Sequence, residues 1–357
     1  MSSDGRVTRN GRLKPVRVAV VGLGYWGPNI VRNLHDAPEA KVVCVCDVSN
    51  RSLEKMARRY PAIQRRRSLQ KVLDDPSVDA VAVATPVGTH YAIARAALAA
   101  GKHVFVEKPL AGSAEEAWEL IELARANGLV LMPGHTFLYS PPVNLIRDHF
   151  RSGALGDTYF ISMSRVNLGI HQPDVSVVWD LGPHDFSILR YWLGENPVAV
   201  SAVSRGCVIP DKPDVAFINF EYASGTIAHV ELSWLAPSKL RRTTIVGSRQ
   251  MIVYDDTSAE PVRVFDSGVQ PRDPETFGEF QLSYRTGDII SPRVDAVEPL
   301  YAELRDFCAA VRGLSQPRSS LQIGFEVIEV IEAVERSLAR QGERVLVEST
   351  FSATRAG

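Results

Sequence analysis

One lysine stands where a charge is costly. It follows an apolar run in Val104-Phe105-Val106-Glu107-Lys108-Pro109-Leu110, and the proline halts the strand just after it. An ammonium group at the carboxyl end of a buried strand is disfavoured unless something uses it. Placed there, a lysine can hold an alcohol oxygen and stabilise the negative charge that develops on it. A second group of residues with chemical content is Gly22-Leu23-Gly24-Tyr25-Trp26-Gly27, with Asp47 downstream. The glycines follow the apolar run 16–21 and precede a helical pattern with Ile30, Val31 and Leu34 on one face. The next strand, 41–46, ends at Asp47. Strand, glycine turn, helix, strand and acid make the dinucleotide-binding fingerprint. Gly22 serves the tight turn, Gly24 the approach of a pyrophosphate to the helix N-terminus, and Gly27 close helix–strand packing. Asp47 is placed to bind the adenosine ribose hydroxyls and to repel a 2′-phosphate, which favours NAD over NADP. Lysine and dinucleotide together predict a nicotinamide-dependent dehydrogenase.

The elements that must position these groups alternate. Helix 51–60 is stopped by Pro61, and a short helix follows at 69–73. Strand 78–84 leads to Thr85-Pro86, and helix 92–100 is closed by Gly101. After the strand that ends at Lys108 come helix 114–126 and a sixth strand, 129–132, before Gly134-His135. Repeated βα units give a doubly wound parallel sheet with right-handed crossovers, whose ligands bind beyond the carboxyl ends of the strands. The glycine turn, Asp47, Thr85-Pro86, Glu107-Lys108 and Gly134-His135 all fall on that rim. Beyond Pro141-Pro142 an amphipathic helix, 143–150, opens a different pattern. Strands are expected at 159–166, 198–205, 216–222, 226–234, 242–246 and 250–254, with a hairpin turn at Ser224-Gly225. A helix is expected at 180–193 and two more at 300–312 and 323–340, while 266–293 reads as a surface excursion. The fold class is thus α/β, an N-terminal Rossmann sheet plus an α+β domain with a large, open, mainly antiparallel sheet. The expected divisions are a flexible tail 1–14, an NAD-binding domain 15–140, a substrate-binding and oligomerisation domain 141–345, and a tail 346–357.

Composition narrows the partners. A formal net charge of -1 over 357 residues argues against nucleic acid or a membrane surface, which need a basic excess. Arg65-Arg66-Arg67 is the densest basic cluster and reads as solvated surface. No apolar run of membrane-spanning length occurs. The four cysteines show no metal-ligand spacing, so no metal is expected. A reducing cytoplasm is the expected location.

Four blocks carry a resemblance to a known family: Val21-Gly22-Leu23-Gly24-Tyr25-Trp26-Gly27; Ala84-Thr85-Pro86 with His90; Gly101-Lys102-His103 running on to Glu107-Lys108-Pro109-Leu110; and Asp180-Leu181-Gly182-Pro183-His184-Asp185. With them the chain resembles the Gfo/Idh/MocA (glucose–fructose oxidoreductase, inositol dehydrogenase and MocA-like) oxidoreductases over residues 15–345, in their sugar 3-dehydrogenase-like branch. The resemblance implies that Gly22, Gly24, Tyr25, Trp26, Gly27, Asp47, Thr85, Pro86, His90, Glu107, Lys108 and Pro109 bind the cofactor, with Pro109 in cis. It implies that Lys108, Asp180 and His184 are catalytic and touch the substrate, the last two from the second domain. Asp180 and His184 are four apart and share one side of a helical turn. Pro183 fits near a helix start, which places both on the first turn. Many relatives carry an arginine after the sixth strand. This chain instead has Gly134-His135-Thr136-Phe137-Leu138-Tyr139, where His135 and Thr136 are left without an assigned role.

Family substrates are pyranosides, cyclitols and sugar nucleotides. Tyr139, Trp179 and Trp234 are candidate faces for a sugar ring, and Arg165 and Asn167 end a strand expected to border the site. Lys239, Arg241 and Arg242 read either as a diphosphate grip or as a solvated edge. Removing the hydroxyl proton needs a base, and histidine has the suitable intrinsic pKa. The expectation is that His184 takes the proton, polarised by Asp180, while Lys108 holds the oxygen. The family itself divides between lysine and histidine as base. The expected reaction is NAD-dependent oxidation of a pyranosyl hydroxyl, at C3, in amino-sugar or antibiotic biosynthesis. Alternatives are an NADP(H)-dependent deoxysugar ketoreductase, a cyclitol dehydrogenase, an NAD-dependent glycosidase and a non-catalytic dinucleotide sensor. A homodimer or homotetramer through the second-domain sheet is expected.

Overall fold

The first sheet has six strands, the central ones rich in valine and alanine. In this computed structural model, which describes residues 13–169, 171, 175–271, 282–348 and 351, they are β1 (Val16–Val21), β2 (Ala40–Cys46), β3 (Gln64–Arg66), β4 (Ala80–Val83), β5 (His103–Glu107) and β6 (Leu131–Gly134). All pair in parallel, in the order β3-β2-β1-β4-β5-β6. β4 is buried along its whole length, as parallel strands covered on both faces must be. The crossovers are α1 (Gly27–Asp36), α2 (Asn50–Arg59), α3 (Leu69–Leu73), α4 (His90–Ala99) and α5 (Ala114–Ala126). Ser49 caps α2 by accepting from Ser52 N, and Ser113 caps α5 by accepting from Glu116 N. A 3-10 turn, Thr136–Tyr139, follows β6. Cys44 and Cys46 lie in the core, and burial pushes the Cys44 thiol up to about 11.

The rest of the chain runs α6 (Pro141–Arg151), β7 (Thr158–Leu168), α7 (Val177–Leu193), β8 (Pro197–Arg205), β9 (Val215–Tyr222), β10 (Ile227–Ser233), β11 (Leu235–Gly247), β12 (Met251–Asp255), β13 (Val262–Pro271), β14 (Leu282–Ile290), α8 (Pro299–Val311), α9 (Leu321–Ala339) and β15 (Val345–Leu346). Its nine-stranded sheet has the order β14-β13-β12-β11-β7-β10-β9-β8-β15. β7 and β10 pair in parallel, and the other neighbours are antiparallel. The hairpin between β9 and β10 turns at Gly225, whose φ of 88° suits glycine. The stretch 266–293 is not an excursion, since β13 and β14 pair across it. Gly268 and Gly287 inside the strands, with Asp266, Arg285 and Asp288, hide the alternation that would have marked them. Residues 272–281, and most of both expected tails, lie outside the described residues.

Internal contacts divide the chain into two units. The first takes the chain up to Tyr139 and again Val297–Ile328, and the second takes Ser140–Ala296 and the chain from Glu329 on. Helix α8 therefore belongs with the parallel sheet, whereas the sequence reading runs the second domain unbroken to 345. Side-chain pairing explains the return. Glu298 accepts from Arg32 and Asn33, Arg305 grips Glu39 at 2.6 Å, and Phe307 meets Phe105 edge to face at 5.8 Å. Among the described residues no helix is long and apolar enough to cross a membrane.

Candidate active site

The first unit collects its expected residues on the carboxyl rim of the sheet. Gly22 lies at φ 91°, and a Cβ there would stand 2.5 Å from Ala84 O; one on Gly27 would stand 1.9 Å from Gly22 O. Both are held to glycine by backbone approach. Gly24 has open space at its Cβ position, and the first turn of α1 carries no acid. A pyrophosphate would lie over this open glycine at the positive end of the helix, where Pro28 has no N–H and the Asn29 and Ile30 N–H groups already bond Trp26 O. Tyr25 and Trp26 are exposed beside it. Asp47 Oδ2 accepts from Leu23 N at 2.6 Å and Oδ1 from Ser49 N at 2.7 Å. The carboxylate is thereby fixed to the glycine loop, and each oxygen keeps a lone pair for a ribose hydroxyl.

His90, expected at the cofactor, is buried and braces the rim instead. Its Nδ1 lies 2.8 Å from Pro109 O and its Nε2 2.8 Å from Thr85 O. Thr85 is half-buried and Pro86 exposed. The Lys108-Pro109 peptide is cis, and Lys108 is half-buried. Behind it Glu107 pairs in register with Gly134, and His135 follows, 1% exposed. Burial pushes the Glu107 carboxyl up to about 7, against the pull of Lys108. Burial and then the Lys108 charge push His135 down to about 3, so its imidazole is neutral. Glu303 on α8 is fully buried and accepts from Thr136 Oγ1 at 2.6 Å. Burial first, then the charge of Glu107, hold its carboxyl well above the usual range. Tyr139, expected to face a sugar, is buried and donates to Asp306 at 2.7 Å.

Glu303 has a measurable consequence. In the unfolded chain it ionises near 4.5, whereas burial holds the folded value well above that, so between the two the folded state binds more protons. The stability this gives is full below the unfolded value and is lost as the pH rises towards the folded one. Glu303→Gln has no such proton. Relative to the variant, the wild type is expected to lose about 1.4 kcal/mol per pH unit above the unfolded value. Urea unfolding of both proteins across neutral pH checks this, and a difference flat in pH counts against it.

In the second unit Asp180 and His184 lie on α7, a turn apart and half-buried. Pro183 is inside the helix and not at its start. The helix begins earlier because Val177 and Val178 are buried and Val177 N bonds Pro213 O at 3.0 Å. Asp180 is thus in the first turn and His184 in the second. Trp234, expected as an open ring face, is 1% exposed, and its Nε1 donates to Asp180 Oδ2 at 3.2 Å. It orients the acid. His171 lies 5.2 Å from the Trp234 ring, with Nε2 3.6 Å from the buried Asp214. Arg165, expected at the substrate, is buried with Nε and Nη2 on Asp185 at 2.8 and 2.7 Å. Burial alone would lower its pKa, and Asp185 more than reverses that. Asn167 and Trp179 are half-buried near the same elements. Among the described residues no cluster of His, Cys, Asp or Glu could hold a metal.

Sequence reasoning missed Glu303, Asp185 and His171. Glu303 had a signal: it shares a helix stripe with Leu300 and Phe307, where an acid is out of place. His171 had none in its spacing.

Residues 16–135 match the profile of an oxidoreductase family with an NAD-binding Rossmann fold, and 143–253 match the GFO/IDH/MocA C-terminal domain. The chain is 30% identical over 236 residues to scyllo-inositol 2-dehydrogenase (NAD(+)) of Bacillus subtilis, covering 62% of this chain and 68% of that one. It is 30% identical over 235 residues to UDP-N-acetylglucosamine 3-dehydrogenase of Acidithiobacillus ferrooxidans, covering 64% and 71%. The crystal structure of GenD2 from gentamicin A biosynthesis, in complex with NAD, superposes with a TM-score of 0.80 at 25% identity, covering 94% of this chain and 97% of that one.

Proposed function

Because this chain belongs to the Gfo/Idh/MocA family of NAD(P)-dependent oxidoreductases, we propose that it uses NAD to oxidise a secondary hydroxyl of a pyranosyl substrate, at C3, to a ketone. The observation that carries this reading is the pair of prepared groups: Lys108 on the rim of the parallel sheet, and Asp180 with His184 on α7, the acid oriented by Trp234. When bound, NAD supplies the hydride acceptor. Gly24 and the α1 N-terminus would take its pyrophosphate and Asp47 its ribose, for the reasons of space and lone pairs given above. In the proposed reaction Lys108 holds the alcohol oxygen, and His184, with Asp180 stabilising its imidazolium, is the proposed proton acceptor. The carbon then loses the hydride, which leaves a ketone and one released proton.

The pyranosyl choice draws on likeness to the UDP-N-acetylglucosamine enzyme and to GenD2. Equal identity to a scyllo-inositol dehydrogenase supports a cyclitol as the second reading. A screen of UDP-N-acetylglucosamine, aminoglycosides and inositols for NADH formation decides. NADH with a pyranoside, and a 3-keto product, is the expected result; NADH with inositols alone replaces the substrate class. Asp47→Ser is expected to raise NADP turnover relative to NAD by about tenfold, roughly 1.4 kcal/mol of lost repulsion. Steady-state rates with both cofactors measure it. Exposed Val203, Phe217 and Ile227 on the second sheet support a homo-oligomer through that face.

A further inference from the structure

Among the described residues, four buried polar atoms behind Lys108 find no partner in the protein: Glu107 Oε1, His135 Nδ1 and Nε2, and Glu303 Oε1. Glu107 and His135 come from adjacent strand ends, because Glu107 pairs with Gly134 and His135 is the next residue. Thr136, one further on, donates to Glu303 Oε2. The four atoms therefore belong to one short stretch of contacts.

Their chemistry is complementary. Glu303 Oε2 already accepts a hydrogen bond, so a proton on Glu303 sits on Oε1 and makes it a donor. A neutral imidazole has one donor and one acceptor. An ionised Glu107 supplies the remaining acceptor. Two donors match two acceptors. Two buried carboxyl groups this close do not both ionise, and Glu303 is the one raised further.

We propose that Glu303 is a positioning residue for Lys108: as a carboxylic acid it donates through His135 towards Glu107, and so keeps that carboxylate ionised as the counter-ion of the lysine. This rests on the reading of Lys108 as the group that holds the reacting oxygen. The other polar and charged groups near the cluster are engaged elsewhere. On α8, Asp306 is bonded by Tyr139 and by Arg318 N. Arg318 itself bonds Leu138 O and lies over the Tyr139 ring. On α4, His90 bonds the Pro109 and Thr85 carbonyls, and on α1, Arg32 pairs with Glu298.

The test follows the Glu107 carboxyl by carbon-13 NMR in the full-length protein with NAD, its signal assigned by loss in Glu107→Gln. Wild type and Glu303→Gln are expected to share a midpoint, because the amide N–H replaces the acid O–H. Glu303→Leu is expected to move the midpoint up by about one pH unit. His135→Phe, which leaves α8 untouched, moves it the same way and keeps the test open should Glu303→Leu not fold. Lys108→Met also raises it, by loss of the counter-charge. A midpoint that stays in place in Glu303→Leu or His135→Phe overturns the proposal, and so does one that rises as far in Glu303→Gln as in Glu303→Leu. The titration needs no sugar. It can fail while NADH formation succeeds, and it can succeed while NADH formation fails.

Discussion

Lys108→Ala is expected to lower kcat by about 10²–10⁴-fold, the range for loss of a group that acts on the reacting proton or oxygen. The pyrophosphate and ribose contacts proposed for NAD lie at Gly24, α1 and Asp47 and are left intact, so most of its affinity should remain although Lys108 is itself expected at the cofactor. Stopped-flow measurement of hydride transfer, with dinucleotide affinity from tryptophan quenching, separates the two effects. His184→Asn in parallel identifies the base. Loss of turnover with removal of the acidic limb of the pH–rate profile supports histidine. Near-full turnover in His184→Asn gives the proton to Lys108.

The largest stability effect is expected at Asp185→Asn. The substitution keeps the shape and hydrogen-bonding reach of the side chain but removes the carboxylate charge that faces the Arg165 guanidinium, which is 5% exposed. Breaking a buried pair in this way costs about 3–5 kcal/mol. Arg165→Met with Asp185→Leu removes both charges and is expected to recover most of that loss. Urea midpoints of the single and double variants measure the difference. Because Asp185 is the residue after His184, the pair also ties this turn of α7 to β7. The double variant should therefore fold well and turn over slowly, and equal activity in double variant and wild type would remove that second role.

The parallel sheet was legible because its signals are local. A glycine turn after β1, an acid after β2 and a lysine after β5 each sit within a few residues of the strand that carries them. The Asp180–His184 spacing was legible for the same reason, although the helix start was not, since it depends on the burial of Val177 and Val178. What stayed hidden depends on pairing across the chain. Arg165 at a strand end looks the same whether it meets a sugar or an aspartate twenty residues on. Trp234 reads as a ring face until its N–H is seen on Asp180. The strands β13 and β14 carry glycines and charges that local pattern assigns to a loop, and only their mutual register makes them a sheet. The place of α8 rests on Glu298, Arg305 and Phe307, each of whose partners is more than two hundred residues away.

The return of α8 to the first unit sets an order of assembly during synthesis. Ser140–Ala296 is translated between Tyr139 and Val297, at about 5–20 residues per second, an interval of roughly 8–30 s. Through that interval the nascent sheet has Phe105 without Phe307 and Thr136 without Glu303. Its apolar flank stays open on the ribosome, where a chaperone or a second nascent chain can reach it. The dinucleotide-binding half is thus the first to be started and waits for the C-terminal helices to be closed, so a translational pause before residue 297 prolongs its exposure.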